Sequence, residues 1–273
     1  MENIERVFTE EEITQIVKDA MKCFSDSMDF SISLKNTKLA FFTLQNGKAV
    51  YETFCDLYFP NWEHEAIQDQ RYFESFAAQA FVGEKYYGIL IRTDIPYTPT
   101  YLFEIIMHEI AHIFCIIKEF GGKNFYDRFC GANSEKDGII CAGYAIWREL
   151  IADILSEAIM SDTTKYSLKD VKAYATSQYK KIRYGNPESK QFVSDILSAL
   201  FNTQELATVS SWEEAENSLK KTVRFSCDEM YRIVELVHRK LNSNPFWEIT
   251  YDFVRDLGNA YIMLLARIEM GPQ

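Results

Sequence analysis

The chain has 273 residues, of which 47% are hydrophobic and 15% aromatic, and its formal net charge at pH 7 is −11. This length and hydrophobic content are typical of a globular protein built as one large domain or as two lobes of one domain. The excess of acidic residues argues against a nucleic-acid partner, which requires basic patches.

The first third of the chain predicts a mixture of helices and strands. An amphipathic helix is expected from Thr9 to about Ser25, and the charged residues around its start lack the apolar run of a signal peptide. Asn46-Gly47 lies between two apolar runs in the range 38–57, which favours a hairpin. The range 62–81 favours a helix, whereas YYGILIR at 86–92 is rich in strand formers.

The range 102–117, LFEIIMHEIAHIFCII, is apolar on nearly every side, which indicates a helix buried in a core. Thr98 and Pro99 are suited to its N-cap and first turn, and Gly121-Gly122 is a suitable stop. Buried ionisable groups cost free energy unless they are paired or bind a metal. The few polar residues of this helix therefore need an explanation.

Three of those polar residues form the motif HExxH, namely His108, Glu109 and His112. Residues four apart share a helix face, so the two imidazoles can bind one metal ion. Glu109 can then reach a water on that ion and act as a general base. The alternative is a pair of core histidines hydrogen-bonded to backbone or carboxylate groups.

A catalytic zinc site needs a third protein ligand as well as an open position. In the longer motif HExxHxxGxxH, the positions of the glycine and the last histidine are taken here by Cys115 and Lys118. Cys115 lies seven residues after His108, a rise of about 10 Å along a helix, which is too far for both to bind one ion. The third ligand must therefore come from elsewhere in the chain.

A second apolar helix, predicted over 144–160, offers Glu149 and Asp153 on one face. Two acids at this spacing repel each other by about 0.2–0.5 kcal/mol unless a positive group lies opposite. Glu149 is the favoured third ligand, with Asp153 hydrogen-bonded to a ligand imidazole. The alternatives are that both acids face solvent beside Arg148 and Glu157, or that another acid, Glu157 or Asp127, binds the metal.

The remaining segments complete the predicted architecture. The range 121–138 is rich in turn residues and is expected to be a loop, and the chain after Met160 is predicted to be helical with breaks near 162, 185–187, 210 and 242–245. The fold class is therefore α+β, as one domain over 1–273. A small mixed lobe, about 1–120, packs strands on the HExxH helix, and a mainly helical lobe, about 121–273, closes a cleft.

HExxH followed by ExxxD resembles the gluzincin branch of zinc metallopeptidases, of which thermolysin is the type. The resemblance covers residues 98–160 and implies a zincin-like fold with one zinc ion. The implied zinc ligands are His108, His112 and Glu149. Glu109 would be the general base, and Asp153 would hydrogen-bond to a ligand imidazole. The chain departs from the family pattern at Arg148 and Ala152, where Asn and Ser are usual, and Glu149 follows His112 by 37 positions, a longer gap than in the thermolysin type.

A second family is similar over part of the same range, and the gluzincin resemblance also suggests a role for one strand. The apolar helix with Glu followed by Ala-Asp is also similar to small cytosolic bacterial metallopeptidases of the ImmA/IrrE type, which cleave regulators. In the gluzincins, the strand before the HExxH helix lines the cleft and pairs with an extended peptide. The strand at 86–92 is placed to do this as an exposed edge strand, or else it is an ordinary core strand.

An additional hydrogen-bond donor is expected to stabilise the developing oxyanion. The resembled family often uses a downstream His or Tyr, and His238 is the histidine that follows the motif, with Tyr231 seven positions before it. Tyr144, before Glu149, is another candidate, and His238 is otherwise a structural residue. His64, between two glutamates, is expected at the surface.

The expected function is hydrolysis of peptide bonds by a zinc-dependent peptidase, acting on a peptide or protein substrate. The alternative is a catalytically silent zincin-fold protein that serves as a binding or regulatory module. The six cysteines are irregularly spaced without a CxxC pair, which is typical of reduced thiols in a cytoplasmic protein. No uninterrupted apolar run of about 18 residues predicts a membrane span, so no membrane partner is expected.

Overall fold

The computed structural model describes residues 4–28, 35–60, 71–120, 122–131, 137–160, 173, 228–243, 245–246 and 248–270. The chain divides into two compact units, Met1–Ile117 and Lys118–Gln273. Some predictions lie outside the described residues, because they fall on 62–70 or on most of 161–227. They are the surface position of His64 and the helix breaks near 162, 185–187 and 210.

The first unit combines helices with a small sheet, as the α+β prediction requires. Its elements in chain order are α1 (Glu10–Met28), β1 (Thr37–Phe42), α2 (Gly47–Tyr58), α3 (Arg71–Glu74), β2 (Ala78–Val82), β3 (Tyr87–Arg92) and α4 (Pro99–Ile117). Helix α1 starts as predicted, because Thr9 and Glu12 form a reciprocal cap. The backbone N–H of Thr9 donates to Glu12 Oε2 at 2.9 Å, and that of Glu12 donates to Thr9 Oγ1 at 3.3 Å.

The sheet has the strand order β1-β3-β2, with β1 parallel and β2 antiparallel to β3. Ile89 in the middle of β3 is paired with Leu39 on one side and with Ala80 on the other. Four consecutive residues of β3 are buried, as expected for a central strand. The expectation that 86–92 is an exposed edge strand is therefore wrong, since both of its edges are already hydrogen-bonded, and the core-strand alternative is correct.

The predicted hairpin at Asn46-Gly47 is also wrong, because a helix begins there. Asn46 Oδ1 accepts a hydrogen bond from the backbone N–H of Thr43 at 2.7 Å, so the asparagine closes a turn that leads into α2. The apolar residues of α2 recur at helical spacing and pack with the sheet. The resulting cluster is largely aromatic and consists of Phe42, Tyr51, Phe54, Cys55, Phe59, Phe73, Phe81 and Leu90.

The helix predicted over 62–81 is confirmed at Arg71–Glu74 and wrong at Ala78–Val82. Helix α3 covers Arg71–Glu74 alone, and Ala78–Val82 forms strand β2. The sequence AQAFV has good helix formers, but pairing with β3 over five residues gives it a strand conformation. Tertiary pairing therefore overrides the local helix propensity here.

The second unit is helical where it is described. Its elements are α5 (Lys123–Phe129), α6 (Gly138–Ile159), α7 (Asp228–Leu241) and α8 (Tyr251–Met270). The loop expected over 121–138 is thus interrupted by α5. Helix α6 begins six residues earlier than predicted, because Asp137 Oδ1 accepts the backbone N–H of Ile139 at 2.8 Å and caps it. The predicted break at 242–245 is confirmed, since α7 ends before it.

Helices α6 and α8 approach each other at two glycines. A Cβ atom added to Gly143 would collide with the carbonyl oxygen of Val254, and one added to Gly258 would collide with that of Ile139. Trp147, one turn after Gly143, packs edge-on against Phe253 with ring centroids 5.2 Å apart. The glycines thus allow backbone contact, and the aromatic pair fills the space beside it.

Candidate metal centre

Helix α4 positions the HExxH residues, and its start matches the predicted cap. Thr98 Oγ1 accepts the backbone N–H of Tyr101 at 3.1 Å, and Pro99 occupies the first turn. By length and composition alone, α4 could cross a membrane, but 56% of its most apolar window is buried inside the protein. A core helix of a soluble protein has the same composition, so this feature does not assign the helix to a membrane.

The two histidines of α4 point their ring nitrogens at each other. Nε2 of His108 lies 2.9 Å from Nε2 of His112, and the rings are 4.5 Å apart and nearly perpendicular. His112 is buried, with 6% of its surface exposed. Two imidazole lone pairs facing each other at this distance repel unless a proton or a cation lies between them. Two nitrogens bound to one tetrahedral zinc are about 3.3 Å apart, close to the distance observed.

Glu149 on α6 completes a group of three potential ligands. One ligand atom from each of His108, His112 and Glu149 lies within 4.8 Å of the other two. Within the described ranges, no other His, Cys, Asp and Glu side chains form such a group. Two imidazoles and a carboxylate are a donor set that suits zinc, so the residues present fit the ion that the motif implies.

Glu109 is buried beside this group without belonging to it. Its side chain is 8% exposed, and it is one of three buried polar side chains among the described residues, with His112 and Ser156. Two of the three therefore belong to HExxH, in a helix whose other buried residues are apolar. Glu109 is therefore a buried carboxylate directly beside a potential metal ligand.

The other candidates for the third ligand do not join His108 and His112. Cys115 is buried on α4 but is not a member, in agreement with the spacing argument, and Lys118 is exposed beyond the helix end. Asp127 is exposed on α5, and Glu157 lies on α6 two turns after Glu149. Among the described acids, Glu149 alone joins the two histidines.

Asp153 and His238 remain predictions. Asp153 is partly buried on α6, one turn after Glu149, and its backbone oxygen accepts the hydroxyl of Ser156 at 3.0 Å. His238 is partly buried near the end of α7, where the side-chain nitrogen of Asn242 lies 3.4 Å from its Nδ1 and donates to its backbone oxygen at 2.8 Å. His238 is not a member of the metal-binding group.

Two tyrosines differ in their relation to Glu149. Tyr144 stacks on Phe125 with ring centroids 5.9 Å apart, and burial raises its pKa to about 12. Tyr261 on α8 is 7% exposed, and burial followed by the negative charge of Glu149 raises its pKa to about 12. Tyr261 was not predicted from the sequence, because its position near Glu149 depends on the packing of α8 against α6 and no motif marks it.

The chain was compared with protein-family models, curated proteins and solved structures. No family model, no curated protein and no solved structure matches the chain. The structure establishes a mixed α+β protein with a candidate His/His/Glu metal site. Any assignment of function therefore rests on the geometry and chemistry of this site.

Proposed function

We propose that this protein is a zinc-dependent metallopeptidase of zincin-like fold, which binds one zinc ion per chain through His108, His112 and Glu149. The observation that carries the proposal is the convergence of these three ligands, with Glu109 buried next to the first of them. A site that only bound metal for structural reasons would usually use four protein ligands and would need no adjacent carboxylate.

The residues divide the chemistry of peptide hydrolysis between them. Zinc, when bound, supplies Lewis acidity, which polarises the scissile carbonyl and lowers the pKa of its water. Glu109 accepts the proton of the attacking water and passes it to the departing amine nitrogen. The burial of Glu109, directly after the proposed ligand His108 in the chain, supports this role.

Residues that do not bind the zinc would support this mechanism in two ways. Asp153 would hydrogen-bond to a ligand imidazole and fix its tautomer. A hydrogen-bond donor such as His238 or Tyr261 would stabilise the oxyanion that forms at the carbonyl.

We propose a peptide or protein substrate, a cytoplasmic location and no nucleic-acid or membrane partner. The net charge of −11 and the cysteine pattern fit this proposal.

The test compares the purified protein with its Glu109→Gln variant on a mixed peptide library. We expect zinc-loaded wild-type protein to cleave peptides, to stop when a chelator is added, and to recover when zinc is restored. Glu109→Gln should keep its zinc and lose about 10²–10⁴-fold in rate, the usual contribution of a general base. Glu11→Gln, the same change at an exposed position of α1, is the matched control and should cleave normally.

The competing proposal is a zincin-fold binding or regulatory module without activity. It predicts zinc binding but no chelator-sensitive cleavage by the wild-type protein. Equal rates for wild type and Glu109→Gln would instead show that a cleavage reaction exists but that Glu109 is not its base.

A further inference from the structure

Helix α4 carries one more charged residue than the proposed mechanism uses. Over Pro99–Ile117, the only charged side chains besides the two histidines are those of Glu104 and Glu109, and no Lys, Arg or Asp is present. Glu104 lies four residues before His108. Because residues four apart share a helix face, Glu104, His108 and His112 form one polar stripe along α4.

Glu104 is not explained by the packing of the protein. Its side chain is partly buried, and burial alone accounts for its raised pKa, with no contribution from a hydrogen bond or a charge. It therefore has no ion-pair partner among the described residues. Elsewhere in the same unit, the partly buried carboxylate of Asp94 is paired with Arg92 at 2.6 Å. An unpaired carboxylate at a partly buried position costs free energy, so a cationic ligand would stabilise it.

We propose that Glu104 is a specificity-determining residue that binds a protonated nitrogen of the substrate close to the scissile bond. This inference rests on the proposed peptidase function and adds a substrate class to it. The nitrogen is either the free α-ammonium group of a peptide or the side-chain ammonium of a lysine. Both offer the same chemistry to a carboxylate, namely a positive charge with several N–H donors.

The distance along the helix sets the position of this nitrogen. Four residues of α-helix rise about 6 Å, and an extended peptide advances about 3.3–3.6 Å per residue. The positive group is therefore expected within about two residues of the bond that is cleaved. The net charge of −11 supports the same class of substrate, because an acidic protein attracts cationic ligands over long distances.

The experiment measures peptide binding separately from cleavage. Zinc-loaded Glu109→Gln protein is titrated with fluorescent, C-terminally amidated alanine–serine octapeptides of three kinds. One peptide is acetylated and neutral, one has a free α-amine, and the third kind is a set of acetylated peptides with a single lysine at each position in turn. Dissociation constants are then compared in the presence and absence of an added Glu104→Gln change. Zinc content and circular dichroism verify that each variant is folded and loaded, and Glu11→Gln is the matched control.

We expect at least one cationic peptide to bind about tenfold more tightly than the neutral one. Glu104→Gln should remove this difference and leave the neutral peptide within twofold, whereas Glu11→Gln should leave the difference intact. Glu104→Lys should reverse it in favour of an octapeptide carrying aspartate. Preference for the free α-amine peptide or for one lysine position identifies which nitrogen is bound.

Several results would overturn the proposal. Equal affinity for the neutral and cationic peptides, no binding of any of them, or a preference that survives Glu104→Gln would each remove Glu104 from substrate recognition. Failure of the peptidase proposal looks different. In that case the Glu104-dependent preference is present, but the zinc-loaded wild-type protein does not cleave the peptide that binds best.

Discussion

Two polar groups of this protein show how a structural ion pair differs from a candidate functional site. At the end of β3, Arg92 Nε donates to Asp94 Oδ1 at 2.6 Å, and the other carboxylate oxygen accepts the backbone N–H of Leu44 at 3.0 Å. Here each polar group has its partner within the protein. At the candidate metal centre, Nε2 of His108 lies 2.9 Å from Nε2 of His112, and Glu149 on α6 offers a ligand atom within 4.8 Å of both histidines, so three potential metal ligands converge.

The difference separates a structural ion pair from a potential metal-binding group. Opposite charges that meet, as in Arg92 and Asp94, stabilise the fold directly. Two imidazoles and a carboxylate that converge form instead a donor set that suits a divalent cation such as zinc. Substitutions in the two regions should therefore differ in kind: changes at the ion pair should alter stability alone, and changes at the metal centre should alter metal binding and activity.

The largest expected effect is loss of the metal in His112→Ala. Removal of one buried imidazole leaves two ligands, too few for a stable zinc site. The wild-type protein should gain about 2.7 kcal/mol of stability when free zinc reaches one hundred times its dissociation constant, and the variant should gain none. Elemental analysis and thermal unfolding with and without zinc measure both effects. Full zinc content in His112→Ala would contradict the ligand assignment, and His238→Ala is the control that should retain zinc.

The next effect is weaker zinc binding in Asp153→Asn. The amide preserves the volume but removes the negative charge that supports a ligand imidazole, a change that typically costs about 10–100-fold in metal affinity. Competition with a chelating dye measures the dissociation constant. If the constant is unchanged, Asp153 does not contact the site, and its role as a partner of the ligands is wrong.

The smallest effect is expected at the ion pair, where Asp94→Asn should cost about 1 kcal/mol of unfolding free energy and leave zinc affinity unchanged. Burial alone would raise the pKa of Asp94, but the hydrogen bonds from Arg92 and the backbone N–H of Leu44 outweigh it and lower the pKa. The carboxylate therefore contributes stability above its unfolded pKa of about 3.9, and this contribution is lost as the pH falls through the lower folded value.

Urea unfolding of the wild type and Asp94→Asn at several pH values checks this. The difference in stability should be full near neutral pH and shrink in acid below about pH 4. A difference that grows as the pH falls, or a change in zinc affinity, would show that the ion pair is not a purely structural contact.

The residues that could be predicted from the sequence are those fixed by local periodicity. The four-residue spacing of His108 and His112 determines that they share a face of any helix, and the cap at Thr98 indicates where that helix begins. Glu149 was found by the same argument, from an acidic pair in a second apolar helix. The structure then brought these three side chains together.

The features that could not be predicted depend on contacts between distant parts of the chain. Strand β2 forms because Ala78–Val82 pairs with β3, although its own composition favours a helix. Asn46 binds the backbone N–H of Thr43 instead of forming a hairpin turn. Tyr261 comes near Glu149 through the packing of α8 against α6, where Gly143 and Gly258 allow close backbone contact. None of these contacts leaves a periodic pattern in the sequence.

The most direct test of the account is the zinc affinity of Glu149→Ala, measured by competition with a chelating dye beside the wild type and Glu157→Ala. Glu157 is an acid on the same helix outside the metal-binding group, which makes it a matched control. We expect one zinc per chain in the wild type and in Glu157→Ala. Glu149→Ala should lose more zinc affinity than the roughly 100-fold that is typical when a residue that hydrogen-bonds to a metal ligand is changed. Wild-type affinity in Glu149→Ala, with zinc lost from Glu157→Ala, would contradict the proposed site.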